Sequence, residues 1–428
     1  MKMANQRLIC AKIVQKILEE KIFFGDLKKQ ISEKDLPYCN MLILTVLRHL
    51  TAIKQILKGF LNKKIPHKHC LAEYLLLCAL AEIMYMETAE YAVLNETVKT
   101  IRNTCDKFLG GMANAVLRKV CTQKTELYRQ AEKINPLPAH FIELLEGYTD
   151  EQICRIAQSV LKIPPLDITV KENPEKWAEK LQAELLPNGT LRLYRSPKVQ
   201  QLPEYAAGMW WVQDFAASLP VMAMGDISGK KVIDLCAAPG GKTAQLLVKK
   251  AKVTAIDISA TRLEILKQNM SRLGFVDVKM QAIDALEYLQ TSTEKYDAIL
   301  LDAPCSATGT FRRHPEVLHI KSRQDTVEQA VLQKKLLQAC ENVLKVGGIL
   351  LYSVCSICPL EGERQIDDFL QTHHNYKLVP IKPAEIAPYG TLDDTMILPN
   401  GTVRVLPYHL GNKNGADSFF ICKMQRII

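Results

Sequence analysis

Several features that would classify a chain of 428 residues at a glance are missing from this one. No apolar run reaches membrane-spanning length. The strongest, LAEYLLLCALAEIMYM at 71–86, holds Glu73 and Glu82 and is too short to cross a bilayer, so it reads as a buried helix and no membrane partner is expected. The opening MKMANQRLICAKIVQKILEE carries a charge every few residues and no apolar core segment, so no signal peptide is expected. Thirteen cysteines, an odd number and scattered, lack the spacing of a disulfide framework, which favours reduced thiols and a cytoplasmic location. The one CxxC, Cys355–Cys358, has no second Cys/His pair at zinc spacing and is followed by Pro359, so neither a metal site nor thioredoxin-type redox chemistry is expected. A GxGxxG fingerprint and a GxxxxGK[ST] phosphate loop are both absent, which excludes the commonest ways of cradling a dinucleotide or nucleoside triphosphate. There are no internal repeats and no low-complexity segment.

What is present is, first, positive charge. Lys and Arg number 55 against 46 Asp and Glu, a net +9. Residues 1–150 hold 22 basic and 16 acidic side chains, so +6 of that excess lies in the first third. A polyanionic partner accounts for such a balance, because neutralising phosphates releases counterions; the plainer account is a soluble basic protein.

The length suggests two or three domains. Residues 5–125 repeat apolar positions at helical spacing in 8–18, 40–61, 71–86, 91–104 and 111–121, which predicts an all-α domain over 1–125. Residues 126–205 change character, with INPLPAHFIELLEGY (134–148), a strand at 166–170, a helix at 174–185 and a strand LRLYR at 191–195; they predict a small mixed connector. From 206 to 428 strands and helices alternate: strands 230–235, 252–257, 278–284, 296–304 and 349–355, helices 241–251, 259–274 and 329–348. Such alternation with buried apolar strands predicts a parallel, doubly wound, Rossmann-like sheet.

Ligands of such sheets sit beyond the carboxyl ends of the strands. Five strand ends here bear unusual residues. After the first comes DLCAAPGGKT (234–243), in which Cys236, Ala237, Ala238, Pro239, Gly240, Gly241 and Lys242 allow close backbone approach at a helix start. Asp257 closes the next strand, where a carboxylate can accept both hydroxyls of a ribose, and Asp284 closes the third, placed to meet an adenine edge. Taken singly, either aspartate is as readily a helix cap or a solvated charge; in strand order with the loop, the set predicts a nucleoside-containing cofactor with little phosphate. The two remaining ends carry thiols. LLDAPCSATGTF (300–311) presents Asp302, Pro304 and Cys305, and LLYSVCSICP (350–359) presents Cys355. A thiol at a strand end faces the ligand cleft, unlike an inert one within an element, as Cys78 and Cys340 are read. Either cysteine could serve as a nucleophile on these grounds; the Asp-Pro-Cys arrangement resembles motifs of DNA 5-methylcytosine enzymes in which the cysteine before a serine attacks the ring, and that resemblance favours Cys305.

These strings together resemble the Nop/Sun family of 5-methylcytosine RNA methyltransferases: DLCAAPGGKT its cofactor loop, DAPCSATG its first cysteine motif, YSVCS its second. RLICAKIVQKIL, YAVLNETVKTIR (91–102), FLGGMANAVLRKV (108–120) and GTFRRHPEV (309–317) resemble the branch in which an RNA-binding, NusB-like helical domain precedes the methyltransferase. The resemblance implies S-adenosylmethionine as cofactor, held by residues 236–242, Asp257, Arg262, Asp284 and Asp302, and a monomer that methylates one cytosine of 16S ribosomal RNA, position 967 in the standard small-subunit numbering. It implies that Cys355 attacks the base, that Cys305 promotes product release, and that Asp302 contacts the cytosine ring. Arg312, Arg313 and His314, directly after the first cysteine motif, are candidates for gripping RNA near the flipped base, or else a solvated loop. Lys242 is placed to lower a thiolate pKa, or else is a solvated helix lysine. Two departures stand out. Val354 replaces the threonine that usually precedes the second cysteine, and Ala416-Asp417-Ser418-Phe419-Phe420 stands where the family often has Gly-Asp-Gly-Phe-Phe. Within enzymes, the rival reading is a cytosine-5 methyltransferase for tRNA or another ribosomal site. Outside them, it is an RNA-binding assembly factor that has lost catalysis.

Overall fold

A computed structural model describes residues 2–195 and 198–428, with side chains from residue 6 onward. The chain falls into two compact units. One comprises Met1–Glu143, Thr149–Lys162 and Phe311–Ser322; the other comprises Leu144–Tyr148, Ile163–Thr310 and Arg323–Ile428.

The first unit is helical, with Lys2–Glu20, Leu36–Arg48, Leu50–Phe60, Cys70–Tyr85, Glu90–Thr104, Lys107–Glu132 and Asp150–Val160 as its main elements. Helix Cys70–Tyr85 is its axis, and every residue from Leu75 to Met84 is buried. Glu82 lies among them, fully enclosed, and forms a two-pronged ion pair with Arg7 at 2.7 and 2.8 Å. Removing one partner of such a pair costs about 3–5 kcal/mol, since the other charge is left buried alone. The run at 40–61, expected as one helix, is two, bent by 76° at His49. The break has a visible cause: Arg48 turns inward to donate to the carbonyls of Val160 (2.8 Å) and Arg312 (3.0 Å), and His49 stacks on Tyr85 at 3.7 Å. Among the described residues, no single helix is long and apolar enough to cross a membrane.

The second unit contains two sheets. The strands β1 (Leu166–Val170), β2 (Glu184–Leu185), β3 (Leu191–Leu193) and β4 (Trp210–Val212) form a small antiparallel sheet in the order β2-β3-β1-β4. The larger sheet uses β5 (Lys231–Leu235), β6 (Lys252–Asp257), β7 (Lys279–Ala282), β8 (Tyr296–Asp302), β9 (Leu344–Val354), β10 (Tyr376–Leu378), β11 (Val403–Val405) and β12 (Phe419–Arg426). Its order is β10-β12-β9-β8-β5-β6-β7, with β11 also on β12. The five central strands β9-β8-β5-β6-β7 are parallel; β12, β10 and β11 are antiparallel additions that the strand–helix alternation did not announce. Strand order reverses between β5 and β8, the position at which open α/β sheets bind ligands.

Two boundaries are corrected: the helix expected over 174–185 stops at Leu181, and Glu184–Leu185 form β2. Residues 344–348, expected at the end of a helix, begin β9 instead. The helix Arg323–Ala339 tightens into a 3-10 turn at Cys340–Asn342 and stops there; the apolar Val343 and Leu344 had extended its apparent period.

Candidate active site

The cofactor loop follows β5. Asp234, near the strand end, is buried and accepts a hydrogen bond from the Thr243 hydroxyl (2.7 Å), which ties the strand to helix Gly241–Val248. Gly240 adopts φ 102°, and a Cβ there would press on Leu266 and Met270 at 3.0 and 3.1 Å. The Ala238 amide donates to Asp257 (3.1 Å), so Asp257 holds the loop from the next strand end. Its other oxygen accepts from the Ser259 amide (3.0 Å), and the carboxylate is 1% exposed. Arg262 lies 3.6 Å from Asp257 and donates to the Ala238 carbonyl. Asp284 caps helix Ala285–Thr291 through the Glu287 amide (3.0 Å).

A cavity of about 320 Å³ opens against this loop. Of the residues singled out in the sequence, it is lined by 236–242 and Asp302; Asp257 and Arg262 do not line it but bond the loop at Ala238, and Asp284 does no more than cap its own helix. Sequence reasoning missed its opposite wall of Tyr205, Trp211, Gln213 and Asp214. Gln213 is set there by Trp211, whose indole donates to it (2.8 Å), and by its own bond to Gln245 (2.7 Å). The stretch WWVQDF offered one signal, an aspartate immediately before an apolar helix, and Asp214 does cap it.

The lining fits a positively charged ligand. Asp234 and Asp302 both reach the cavity, and Asp234 Oδ1 is a buried oxygen with no hydrogen-bond partner there. Burial pushes the Asp234 carboxyl up to about 7, so its ionisation invites a cation. S-adenosylmethionine, with a sulfonium and an ammonium and no phosphate, suits such a wall. Residues 236–242, Asp234 and Asp302 would hold it.

The two thiols meet beside this wall. Cys305 Sγ lies 3.4 Å from Cys355 Sγ, although fifty residues separate them in the chain. They arrive from different sides. Cys355 is in phase with Ser353 and Leu351, whereas Cys305 packs with Ile299 and Leu301 on the other face of the sheet. Asp302 accepts from the Ser353 hydroxyl (2.8 Å) and from Lys242 Nζ (2.8 Å). Burial alone would discharge Lys242; the nearby negative groups, Asp302 above all and Cys355 after it, outweigh that and hold its pKa above the ordinary value. The ammonium also lies 5.0 Å from the centre of the Phe419 ring. The Cys305 thiol is driven well above its usual range by its hydrogen bond to Cys355, by burial and by the charge of Glu361.

Behind the thiols lies a buried polar network that the sequence did not reveal. Glu361, fully enclosed, accepts from the Ser306 amide (2.8 Å) and from Gln333 (3.0 Å), and both the Ser306 and Ser356 hydroxyls donate to it at 2.5 Å. Gly309 joins the two loops through backbone: its amide donates to the Cys355 carbonyl (3.0 Å), and its carbonyl accepts from the Ser418 amide (2.9 Å).

Arg312 is corrected as an RNA contact. It is fully buried in the helical unit, because the apolar stretch that follows, Val317–Ile320, draws the segment inside. Arg313 is half-buried and His314 exposed, its ring 3.5 Å from Glu316. Among the described residues, no group of three or more His, Cys, Asp or Glu side chains is placed to hold a metal. Cys358 is buried, its amide bonded to Ser356 (3.1 Å).

Comparison with known proteins accords with this geometry. The family described as 16S rRNA methyltransferase RsmB/F matches residues 221–425, and the NusB family matches residues 4–122. The ribosomal RNA small subunit methyltransferase B of Pasteurella multocida is 30% identical over 447 aligned positions, covering 99% of this chain and 96% of that one. The crystal structure of PH0851 superposes with a TM-score of 0.76 at 24% identity, covering 98% of this chain and 99% of the other, which supports the fold. A methyltransferase homologue from Pyrococcus horikoshii, 27% identical, covers 68% of this chain and all of its own length with a TM-score of 0.54. The chain therefore belongs to the RsmB/F family of 16S rRNA methyltransferases, enzymes that take their methyl group from S-adenosylmethionine.

Proposed function

We propose that this chain methylates carbon 5 of one cytosine in 16S ribosomal RNA and that Cys355 is the attacking thiol. The observation that carries the reading is the pair of thiols 3.4 Å apart near the Lys242–Asp302 ion pair, whose two residues line the cavity. Carbon 5 of cytosine is a poor nucleophile. A Cys355 thiolate adding to carbon 6 makes the ring enamine-like, so that carbon 5 can take a methyl group. S-adenosylmethionine, when bound, supplies that methyl. A base then removes the carbon 5 proton, and the electron pair returns to expel the Cys355 thiolate and restore the ring. Cys305, held as a thiol against Cys355, serves the release step. Asp302 hydrogen-bonds the base and stabilises charge as it develops. Lys242, whose charge is favoured by a Cys355 thiolate, stabilises that thiolate in return.

The helical residues 1–125, with their basic excess, grip the RNA backbone, 126–205 connect, and 206–428 carry the chemistry. Arg313 and His314 remain candidates for contacts near the flipped base, at a cost of a few kcal/mol for unstacking. The enzyme works as a monomer in the cytoplasm, where its thiols stay reduced.

Two experiments test this. With unmodified 16S RNA and cofactor, Cys355→Ala forms no covalent band on a denaturing gel and Cys305→Ala accumulates one; the opposite pattern reverses the assignment. Bisulfite sequencing of RNA from a strain lacking the gene shows loss of a single mark on 16S RNA, whereas loss of a mark on tRNA alone replaces the substrate.

A further inference from the structure

A fully buried glutamate is expensive, and well-packed apolar residues would often serve stability as well or better. Glu361 therefore calls for a reason. Its carboxylate receives four hydrogen bonds, and they come from both cysteine loops. Ser306, next to Cys305, gives its amide (2.8 Å) and hydroxyl (2.5 Å); Ser356, next to Cys355, gives its hydroxyl (2.5 Å). Gln333 gives the fourth (3.0 Å) and also donates to the Pro304 carbonyl (2.9 Å), immediately before Cys305. The Tyr352 hydroxyl lies 2.7 Å from the Glu361 carbonyl and 3.1 Å from Gln333 Oε1, which fixes both to β9.

We propose that Glu361 is a positioning residue of the methyl transfer: its single carboxylate clamps the two cysteine loops in register, so that Cys355 rather than Cys305 is presented as the reactive thiol. Each loop alone is a short strand-to-helix turn. The pairing of β8 with β9 and the bond from the Gly309 amide to the Cys355 carbonyl bring the loops together, and the shared carboxylate adds a tie beside each cysteine, at Ser306 and Ser356. The placement of charge agrees. Glu361 is among the groups that disfavour a thiolate at Cys305, while the Lys242 ammonium interacts with Cys355.

The proposal rests on Cys355 as the attacking group, and the test separates the two. In the full-length chain without RNA, iodoacetamide labelling followed by mass spectrometry compares the two thiols. In the parent, Cys355 reacts about tenfold or more faster than Cys305. In Glu361→Gln that ratio falls toward one and kcat drops about 100-fold, while KM for S-adenosylmethionine stays within about threefold. Glu361→Asp, which keeps the charge, restores part of the ratio. If Glu361→Gln folds and keeps both the parental ratio and kcat, the proposal is overturned. If it does not fold, the double variant Ser306→Ala/Ser356→Ala removes two arms of the clamp and leaves the carboxylate. A narrowed ratio and a fallen kcat support the proposal there, and parental values overturn it. A covalent RNA adduct in Cys355→Ala would instead sink the nucleophile assignment, whatever the labelling ratio.

Discussion

The two cysteine loops look interchangeable in outline. Each follows a central parallel strand, β8 or β9, and each continues Cys-Ser toward a buried glutamate. They differ in what surrounds the sulfur. Cys305 packs with Ile299 and Leu301 under the carboxylate of Glu361, and its thiol is pushed well above its ordinary range. Cys355 shares its face with Ser353, which is bonded to the Asp302–Lys242 pair, so a cation stands near its sulfur. The lesson is that charge placement, and not motif order, separates two thiols with the same position in the fold. Chain order alone had favoured Cys305.

The largest way to break this comparison is at Cys355 itself. Cys355→Ala is expected to lower methyl transfer by more than about 10⁴-fold, measured as labelled methyl incorporated into 16S RNA, because it removes the covalent route altogether. Cys305→Ala should retain attack and stall at release. Should the two variants fail identically, without an adduct in either, the loops are not distinguished in the way argued.

A second intervention strikes both loops together. A Cβ at Gly309 would lie 2.3 Å from the Ser418 carbonyl oxygen and 2.9 Å from that of Cys355, so Gly309→Ala must push the loops apart. Overpacking of this kind costs about 1–3 kcal/mol, and a displacement near 1 Å at reacting groups costs about 100-fold in rate. Thermal unfolding and kcat measured on the same preparation check both. A variant with parental kcat would show that the inter-loop distance is not what matters.

How far these features were legible in the sequence follows from how local their causes are. Strands β5, β6 and β8 and the helical runs within residues 8–121 announced themselves through period and apolar content, and the cofactor loop through its glycines and proline, whereas helix Asp150–Val160 was not foreseen. The break at His49 did not, because it depends on Arg48 reaching carbonyls more than a hundred residues away. Arg312 was misplaced for a similar reason: next to a catalytic motif in sequence, it is buried with Phe311 and Val317. Glu361 and the Trp211–Gln213 wall were invisible because each is defined by partners from several strands, and neither glutamate nor glutamine marks itself as buried.

Lys242→Met sharpens the electrostatic half of the comparison. A thiolate is the charged form of cysteine, so a nearby cation lowers its pKa and removing the cation raises it. The variant should lose about 10- to 100-fold in kcat at neutral pH and recover part of it as pH rises, its acidic limb shifted upward. A pH–rate profile against the parent gives the answer. A uniform loss at every pH would assign Lys242 to holding Asp302 alone, through their 2.8 Å contact.

The smallest effect is expected at Val354, where the family usually has threonine. Side chains alternate along β9, so Val354 points to the face of Tyr352 and Leu350, away from the side that carries Ser353 and Cys355. It is completely buried and sits opposite Phe420 of β12. A threonine hydroxyl there would enter an apolar cluster, and burying it without a partner costs about 1–3 kcal/mol. Val354→Thr is therefore expected to lower the unfolding midpoint by a few degrees, at about 2–4 °C per kcal/mol for a unit of roughly 150–250 residues. It should leave kcat within about twofold, since the hydroxyl cannot reach the thiol from the opposite face. A rise in kcat would place residue 354 in contact with the reacting groups, and would mean that the Cys355 loop differs from the Cys305 loop in its strand residues as well as in its charges.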